Sequence, residues 1–328
     1  MNQEIDKLPF YKSKISILIL TFNQAQFIER ALESVVEQQS DNYNLEIILT
    51  DDGSSDGTVD VIENFIKTSP VSIKFLAKRH EGVTAIAKNF LMMLNLADGD
   101  FIAFLSGDDY FSQNRFSRQL EKFATNPKLK ISYSDGVNCV SGDLGTRCHS
   151  AETIDLMRCG DAKKVLRYLT SPAPVLFIQG VLARADFLKK IQPFDVDLIA
   201  DDWVFSIKVF NELVTHGGEF DFDPNVSFIR NIHDDNTSRN LIVHYERVRQ
   251  VAERYCLAPR KIKSKFIGNA IIQALKKRNS ETLLVFFKKS LLYPESYIYV
   301  LLIFLYSIGT KIRILISNKY NIDSNGHP

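Results

Sequence analysis

The sequence predicts an α/β fold: a mixed, mainly parallel central sheet flanked by helices, with a helical C-terminal extension. Three observations lead there. Short apolar runs rich in β-branched residues recur four times between residues 15 and 105, a helical-period pattern separates each from the next, and polar clusters follow the runs. This alternation marks βαβ units and a doubly wound sheet. Runs without polar alternation suit strands buried on both faces. In such sheets, ligands bind at the carboxyl ends of the strands.

The elements follow in order. Residues 15–20 (ISILIL) form the first strand, followed by a helix with Phe27, Ala31, Leu32, Val35 and Val36 on one face. Residues 45–49 (LEIIL) form the second, and a helix turns Val59, Ile62, Phe65 and Ile66 inward. Residues 71–76 are a third strand, 82–96 a third helix and 101–105 (FIAFL) a fourth strand. Thr21–Asn23, Asp51–Asp56 and Ser106–Asp109 therefore fall along one rim. Residues 127–171 read as loops and short strands, an acceptor-facing lid. Residues 175–182 read as a strand and 201–213 as a helix; beyond His244 the pattern is helical.

The composition, 45% hydrophobic and 24% charged over 328 residues, excludes a disordered or fibrous chain. The net charge of +1 conceals an asymmetry. Residues 241–328 hold 15 Lys+Arg and 5 Asp+Glu, +10, which leaves −9 on residues 1–240. Segments so different in charge suggest two surfaces with different partners. The four cysteines show neither a CxxC pair nor zinc spacing, so a reduced cytoplasmic setting is expected. The first 14 residues lack the apolar core of a secretory signal.

Three acidic pairs stand out: Asp51-Asp52, Asp108-Asp109 and Asp201-Asp202. Adjacent carboxylates repel unless a cation lies between them. A hard divalent ion takes oxygen ligands and bridges carboxylate to phosphate. Asp108 and Asp109 at a strand end thus suit a metal–diphosphate site, and Gly107 allows close approach. A ligand-free β-turn fits the same four residues. Asp51 and Asp52 suit a base N–H or ribose hydroxyls, while Asp56 reads rather as a helix cap.

In this order the motifs resemble family 2 glycosyltransferases of the GT-A fold, inverting enzymes that use nucleotide-diphosphate sugars. The family opens with an apolar strand and a Thr/Ser-x-Asn element, here Thr21-Phe22-Asn23. A DDGS-type motif with DGT follows as residues 51–58, then a Gly-x-x-x-Ala-x-Asn helix matched by Gly82 through Lys88 and Asn89. The Asp-x-Asp-Asp metal motif appears as Ser106-Gly107-Asp108-Asp109, with Ser106 in place of the first acid. The Glu-Asp-Trp base motif appears as Asp201-Asp202-Trp203, and an Arg-x-x-His-x-x-Asn-x-Ser segment as Arg230, His233, Asn236 and Ser238.

The resemblance spans about residues 14–240. It implies Asp202 as general base with Asp201 supporting, and Thr21, Phe22, Asn23, Asp51, Asp52, Lys88, Asn89, Ser106, Gly107 and Asp108 at the nucleotide sugar. It implies Asp108, His233 and, less directly, Asp109 around Mn²⁺ or Mg²⁺, and Gly180 and Trp203 on the acceptor side. The organisation expected is a catalytic domain over 1–240, its nucleotide-sugar half at about 14–110 and its acceptor half at about 111–240, then a basic region over 241–328. The implied reaction moves a sugar from a UDP- or dTDP-linked donor to a glycan or polyprenyl-linked acceptor, in surface-polysaccharide or O-antigen synthesis. A nucleotidyltransferase on a similar sheet, or an inactive scaffold, is the alternative. The former normally has a Gly-rich phosphate loop where this chain reads Thr-Phe-Asn-Gln.

The tail adds a further expectation. Basic residues from Arg247 to Arg278 precede LLVFFKKSLL at 283–292 and an apolar run from 297. No stretch reaches the ~20 apolar residues of a membrane span. Aromatic residues beside cations suit an anionic membrane surface, which would place the protein at the inner face of the cell membrane. Packing on the catalytic domain or a homodimer contact is the alternative. No base-reading motif accompanies the charge, so no nucleic-acid partner is expected.

Overall fold

The computed structural model describes residues 12–82, 85–171, 176–198, 202–233 and 240–303. The chain divides into two compact units, Met1–Asn236 and Thr237–Pro328.

The first unit begins with alternating strands and helices: β1 (Ser13–Thr21), α1 (Ile28–Val36), β2 (Tyr43–Asp51), α2 (Thr58–Ile66), β3 (Ser72–Ala77), α3 (Ala85–Leu96) and β4 (Phe101–Ser106). These four strands pair in parallel in the order β3-β2-β1-β4. Ile15, Ile17, Leu18 and Ile19 of β1 and Ile47, Ile48 and Leu49 of β2 are fully buried. Each such side chain contributes roughly 1.5–3 kcal/mol through burial. Ile28, Ala31, Leu32 and Val35 make the stripe by which α1 covers the sheet. The parallel register aligns Thr21 with Asp51 and Leu20 with Ser106, so the expected rim forms at the carboxyl ends of three neighbouring strands.

The chain continues through β5 (Tyr110–Phe111), α4 (Ser117–Thr125), β6 (Leu129–Val140), β7 (Asp143–Arg147), α5 (Ala151–Arg158), α6 (Ala162–Leu169), a 3-10 turn (Ile178–Gly180), β8 (Leu182–Arg184), α7 (Ala185–Ile191), α8 (Asp202–His216) and β9 (Glu219–Ile232). The sheet extends as β4-β8-β6-β9-β5, with β7 beside β6. The β6–β9 pair is parallel and the other added pairs are antiparallel.

Two expected segments differ in the structure. Residues 127–171 contain a 12-residue strand and two helices rather than loops. The β6 segment is not a continuous apolar run: Leu129, Ile131, Tyr133, Val137 and Cys139 alternate with polar residues, and the buried Ser132, Ser134 and Asp135 interrupt them. The Ser134 hydroxyl donates to Gly180 O at 2.9 Å, and Asp135 is met by four protein donor groups. The helix signals were Ser150 and Asp161, whose side chains cap α5 and α6. Of the strand expected at 175–182, residue 175 lies outside the described residues, and residues 178–180 form a 3-10 turn that leads into β8. A Cβ on Gly180 would lie 2.2 Å from Ser134 O, so only glycine lets the turn rest on β6. Finally, β9 went unread because Pro224 and Asn225 interrupt it; the pairing skips both residues, from Ser134↔Asp223 to Asp135↔Val226.

The Asp135 carboxylate pins the β6–β7 hairpin to α5. It accepts from Arg147 Nε at 2.7 Å, Gly136 N–H at 2.8 Å and His149 N–H at 3.2 Å, and His149 Nδ1 lies 2.7 Å away. Burial opposes its ionisation, but the His149, Gly136 and Arg147 contacts outweigh burial and hold it below the usual carboxylate range. A depressed carboxylate stabilises the fold fully above its unfolded value of about 4 and loses that contribution as pH falls through the lower folded value. Asp135→Asn is expected to reduce stability by about 2–3 kcal/mol near pH 7, measured by urea unfolding. The deficit relative to wild type should narrow below about pH 4.

The second unit holds α9 (Leu241–Tyr255), α10 (Pro259–Lys276) and α11 (Ser280–Leu292), and residues 296–303 are helical. Asn240 and Asn279 cap α9 and α11, and Pro259 opens α10. Tyr245, Ile267, Ala270, Ile271 and Phe286 form its core. A Cβ on Gly268 would lie 2.7 Å from Ser296 O, so glycine permits the close crossing of α10 by residues 296–303. No helix among the described residues is long and apolar enough to cross a membrane.

Candidate active site

The rim is knitted together by the loops leaving β1, β2 and β4. Asp52 N–H donates to Thr21 O, and Gly107 N–H to Leu20 O, each at 3.0 Å. Asn23 adopts φ +51° and ties the first loop to the second. Its N–H donates to Ser54 Oγ at 2.7 Å, and its side-chain oxygen accepts from Ser55 N–H at 2.9 Å. The Thr21 hydroxyl donates to Gln24 Oε1. A Cβ on Gly107 would lie 2.5 Å from that Gln24 oxygen and 2.7 Å from Thr21 Oγ1. Glycine is therefore what lets the loop after β4 lie against the loop after β1. Ser106 ends β4 beside Leu20.

Asp51 and Asp52 are both buried and differ in their contacts. Asp51 turns back on its own loop, accepting from Gly53 N–H, Ser54 N–H and the Ser54 hydroxyl. Asp52 reaches outward from β2: Oδ1 accepts from Asn89 Nδ2 at 3.1 Å and Oδ2 lies 2.9 Å from His80 Nδ1. Asn89 in turn accepts from Lys78 Nζ at 2.7 Å. His80 stacks on Phe22, with ring centroids 4.1 Å apart and planes within 11°. Phe22 is 40% exposed, so the pair presents an aromatic surface at the rim. His80 was missed in the sequence because no motif contains it; its signal is the fold, which brings the residues after β3 over the loop after β1. Lys88 pairs with Glu81 at 2.9 Å on the surface. Asp56, expected as a helix cap, lies one residue before the N-cap Gly57; it accepts from Thr58 N–H and, across the loops, from Ala25 N–H.

The adjacent acids Asp108 and Asp109 also separate. Asp108 Oδ2 lies 3.0 Å from His233 Nε2, across 125 positions of sequence. The His233 ring packs on Phe27 at 4.6 Å. Asp109 is buried, and protein donors meet both its oxygens. Asn231 N–H donates to Oδ1 at 2.9 Å and Gln179 Nε2 to Oδ2 at 2.7 Å. Burial, reinforced by the Asp108 charge, pushes the Asp109 carboxyl well above the usual carboxylate range, against those donors. Asn231 Nδ2 donates to Asp108 O at 2.6 Å, which fixes the backbone beneath the Asp108–His233 pair. Asn231 and Gln179 were not legible as site residues, because each acts by holding the adjacent acids, Gln179 at Asp109 and Asn231 at both Asp108 and Asp109.

Among the described residues, no group of three or more His, Cys, Asp or Glu is placed to hold a metal. Asp108 and His233 nevertheless converge as one carboxylate oxygen and one imidazole nitrogen. That pair fits a cation that draws its remaining ligands from phosphate and water, the usual regime of Mg²⁺.

Asp202 is the first residue of α8. Tyr133, fully buried on β6, lies near it: burial first, and the Asp202 charge to a lesser extent, raise the pKa of the Tyr133 hydroxyl. Trp203 is half-buried and donates its indole N–H to Leu169 O at 2.7 Å, tying α8 to the end of α6. Gly180 is buried against β6. These contacts make both residues packing elements. Asp201, Asn236 and Ser238 lie outside the described residues.

Comparison with known proteins agrees with this geometry. Residues 16–141 match the family model for glycosyl transferase family 2. An uncharacterized glycosyltransferase of Nostoc sp. is 33% identical over 182 residues, covering 56% of this chain and 54% of that protein. A Campylobacter jejuni GalNAc(5)-diNAcBac-PP-undecaprenol beta-1,3-glucosyltransferase is 34% identical over 109 residues, covering 33% of this chain and 34% of its own length. The chain thus spans about half or less of these relatives. Among solved structures, S. aureus TarS 1-349 in complex with UDP-GlcNAc superposes with a TM-score of 0.56 at 17% identity, covering 79% of this chain and 72% of that one. The sheet order and the structural match show a GT-A fold, and over residues 16–141 the chain is similar to glycosyl transferase family 2.

Proposed function

We infer that the chain is a metal-dependent inverting glycosyltransferase. It moves a sugar from a nucleotide-diphosphate donor of the UDP or dTDP class to a hydroxyl of a glycan or lipid-linked glycan, in surface-polysaccharide or O-antigen synthesis. The observation that carries this reading is the Asp108–His233 pair, 3.0 Å apart on the rim that β1, β2 and β4 build. The UDP-GlcNAc bound by TarS supports the donor class. The undecaprenol-linked glycan in the name of the Campylobacter relative supports the acceptor class.

The residues divide the work. Phe22 and His80 stack against the donor base, beside Asp51 and Asp52. The loops at Asn23 and Gly107 shape the pocket for ribose and diphosphate, with Ser106, Lys88 and Asn89 around it. Asp108 and His233 would hold Mn²⁺ or Mg²⁺, with Asp109 anchoring Asn231 and Gln179 beside them. When bound, such a cation neutralises charge on the departing diphosphate. Asp202 takes the proton from the acceptor hydroxyl, with Asp201 supporting it, so that the hydroxyl attacks from the face opposite the leaving group and inverts the anomeric carbon.

Calorimetry of UDP binding tests the site. Binding should be strong with Mn²⁺ present and weak after EDTA. Equal binding in both conditions would overturn the metal assignment, and no binding in either would overturn the donor assignment.

A further inference from the structure

We propose that the outer faces of α11 and of the helix at residues 296–303 form a docking surface for an anionic lipid membrane. Both helices already have a packed inner face. In α11, Phe286 and Ser290 are fully buried. In the following helix, Ser296 is buried and Val300 packs on the same core. A helix of a soluble domain normally pairs one buried apolar stripe with a polar outer face. Here the outer faces are apolar as well. Leu284, Phe287 and Leu291 are 54%, 50% and 66% exposed, at spacings that place them on one side of α11. Tyr297, Ile298, Leu301 and Leu302 are 42%, 58%, 56% and 54% exposed and share one side of the next helix.

The charges around these faces select the partner. Lys276, Lys277 and Arg278 are consecutive and exposed at the turn into α11, and Lys288 is exposed on the apolar side of α11 itself. Helices of this kind lie in the membrane interface, with apolar side chains among the acyl chains and cations at the headgroups. Each Lys or Arg near an anionic leaflet strengthens attachment. A second copy of the chain fits less well, because the contact would bring two segments of +10 together. A nucleic acid would use the cations but leave the apolar faces uncovered. The surface belongs to the second unit alone and stands apart from what the first unit transfers.

Vesicle flotation of the full chain tests this. Wild type should float with phosphatidylcholine vesicles containing phosphatidylglycerol and stay behind with phosphatidylcholine alone. Replacing Lys276, Lys277 and Arg278 together with Gln should weaken binding about 100-fold. Replacing Leu284, Phe287 and Leu291 with Ser should reduce binding to background, with circular dichroism and Tm unchanged because all three are exposed. The proposal is overturned if wild type fails to float, floats equally on both vesicles, or floats unimpaired in either variant. It is also overturned if light scattering shows a dimer that the Ser variant dissociates.

Discussion

Asp202→Asn is expected to lower sugar transfer by about three orders of magnitude while leaving nucleotide-sugar affinity close to wild type. The amide keeps the size and hydrogen-bonding reach of the carboxylate but cannot accept the acceptor's proton near neutral pH. The local structure should survive the change. Asp202 opens α8, and the Trp203 indole fixes that end of the helix to Leu169 O at 2.7 Å. Affinity should survive too, because in this reading the donor is held from the rim of β1, β2 and β4 rather than from α8. Steady-state transfer rates and calorimetry on the same preparation check the two halves separately. A near wild-type rate would remove Asp202 from the role of base.

Asp108→Asn is expected to act on the other quantity. It removes the negative charge that meets His233 at the rim. Donor affinity in the presence of Mn²⁺ should fall by about 100-fold or more, at least the loss seen when a ligand's outer partner is removed. Binding measured without metal should change little. The neighbouring Asp109 provides a contrast. Asp109→Ala leaves the Asn231 N–H and the Gln179 amide without their acceptor inside the fold, so it should lower Tm as well as activity. Two adjacent acids that look equivalent in sequence thus differ in their contacts, Asp108 meeting His233 and Asp109 meeting Asn231 and Gln179.

The first half of the fold was legible because its physics is periodic. The buried runs of β1, β2 and β4 and the apolar stripe of α1 follow directly from residue pattern, and the rim follows from parallel register. Beyond residue 127, the sheet is built from strands whose buried positions carry Ser and Asp satisfied by distant partners, as Asp135 is by His149. Neither strand is a continuous apolar run: in β6 Asp135 breaks the alternation of Leu129, Ile131, Tyr133, Val137 and Cys139, and in β9 Pro224 and Asn225 break the alternation that Phe220 and Phe222 begin. The candidate site was legible where a short motif names the residue. Asp108 and His233 were each readable, although 125 positions separate them. It was not legible where a residue acts through contact alone: His80 depends on its stack with Phe22, and Asn231 and Gln179 depend on Asp109. Trp203 and Gly180 also pack within the fold, the indole N–H on Leu169 O and the glycine against Ser134 O.

The most direct test of the central claim is to identify what leaves the donor. The wild-type chain is incubated with a panel of nucleotide sugars, Mn²⁺ and a lipid-linked glycan acceptor, and the released phosphate species are resolved. The account predicts acceptor-dependent release of nucleoside diphosphate from one donor, a product of inverted anomeric configuration, and loss of release with EDTA or in Asp202→Asn. Release of inorganic pyrophosphate, or nucleoside diphosphate release that persists unchanged with EDTA and in Asp202→Asn, would contradict it.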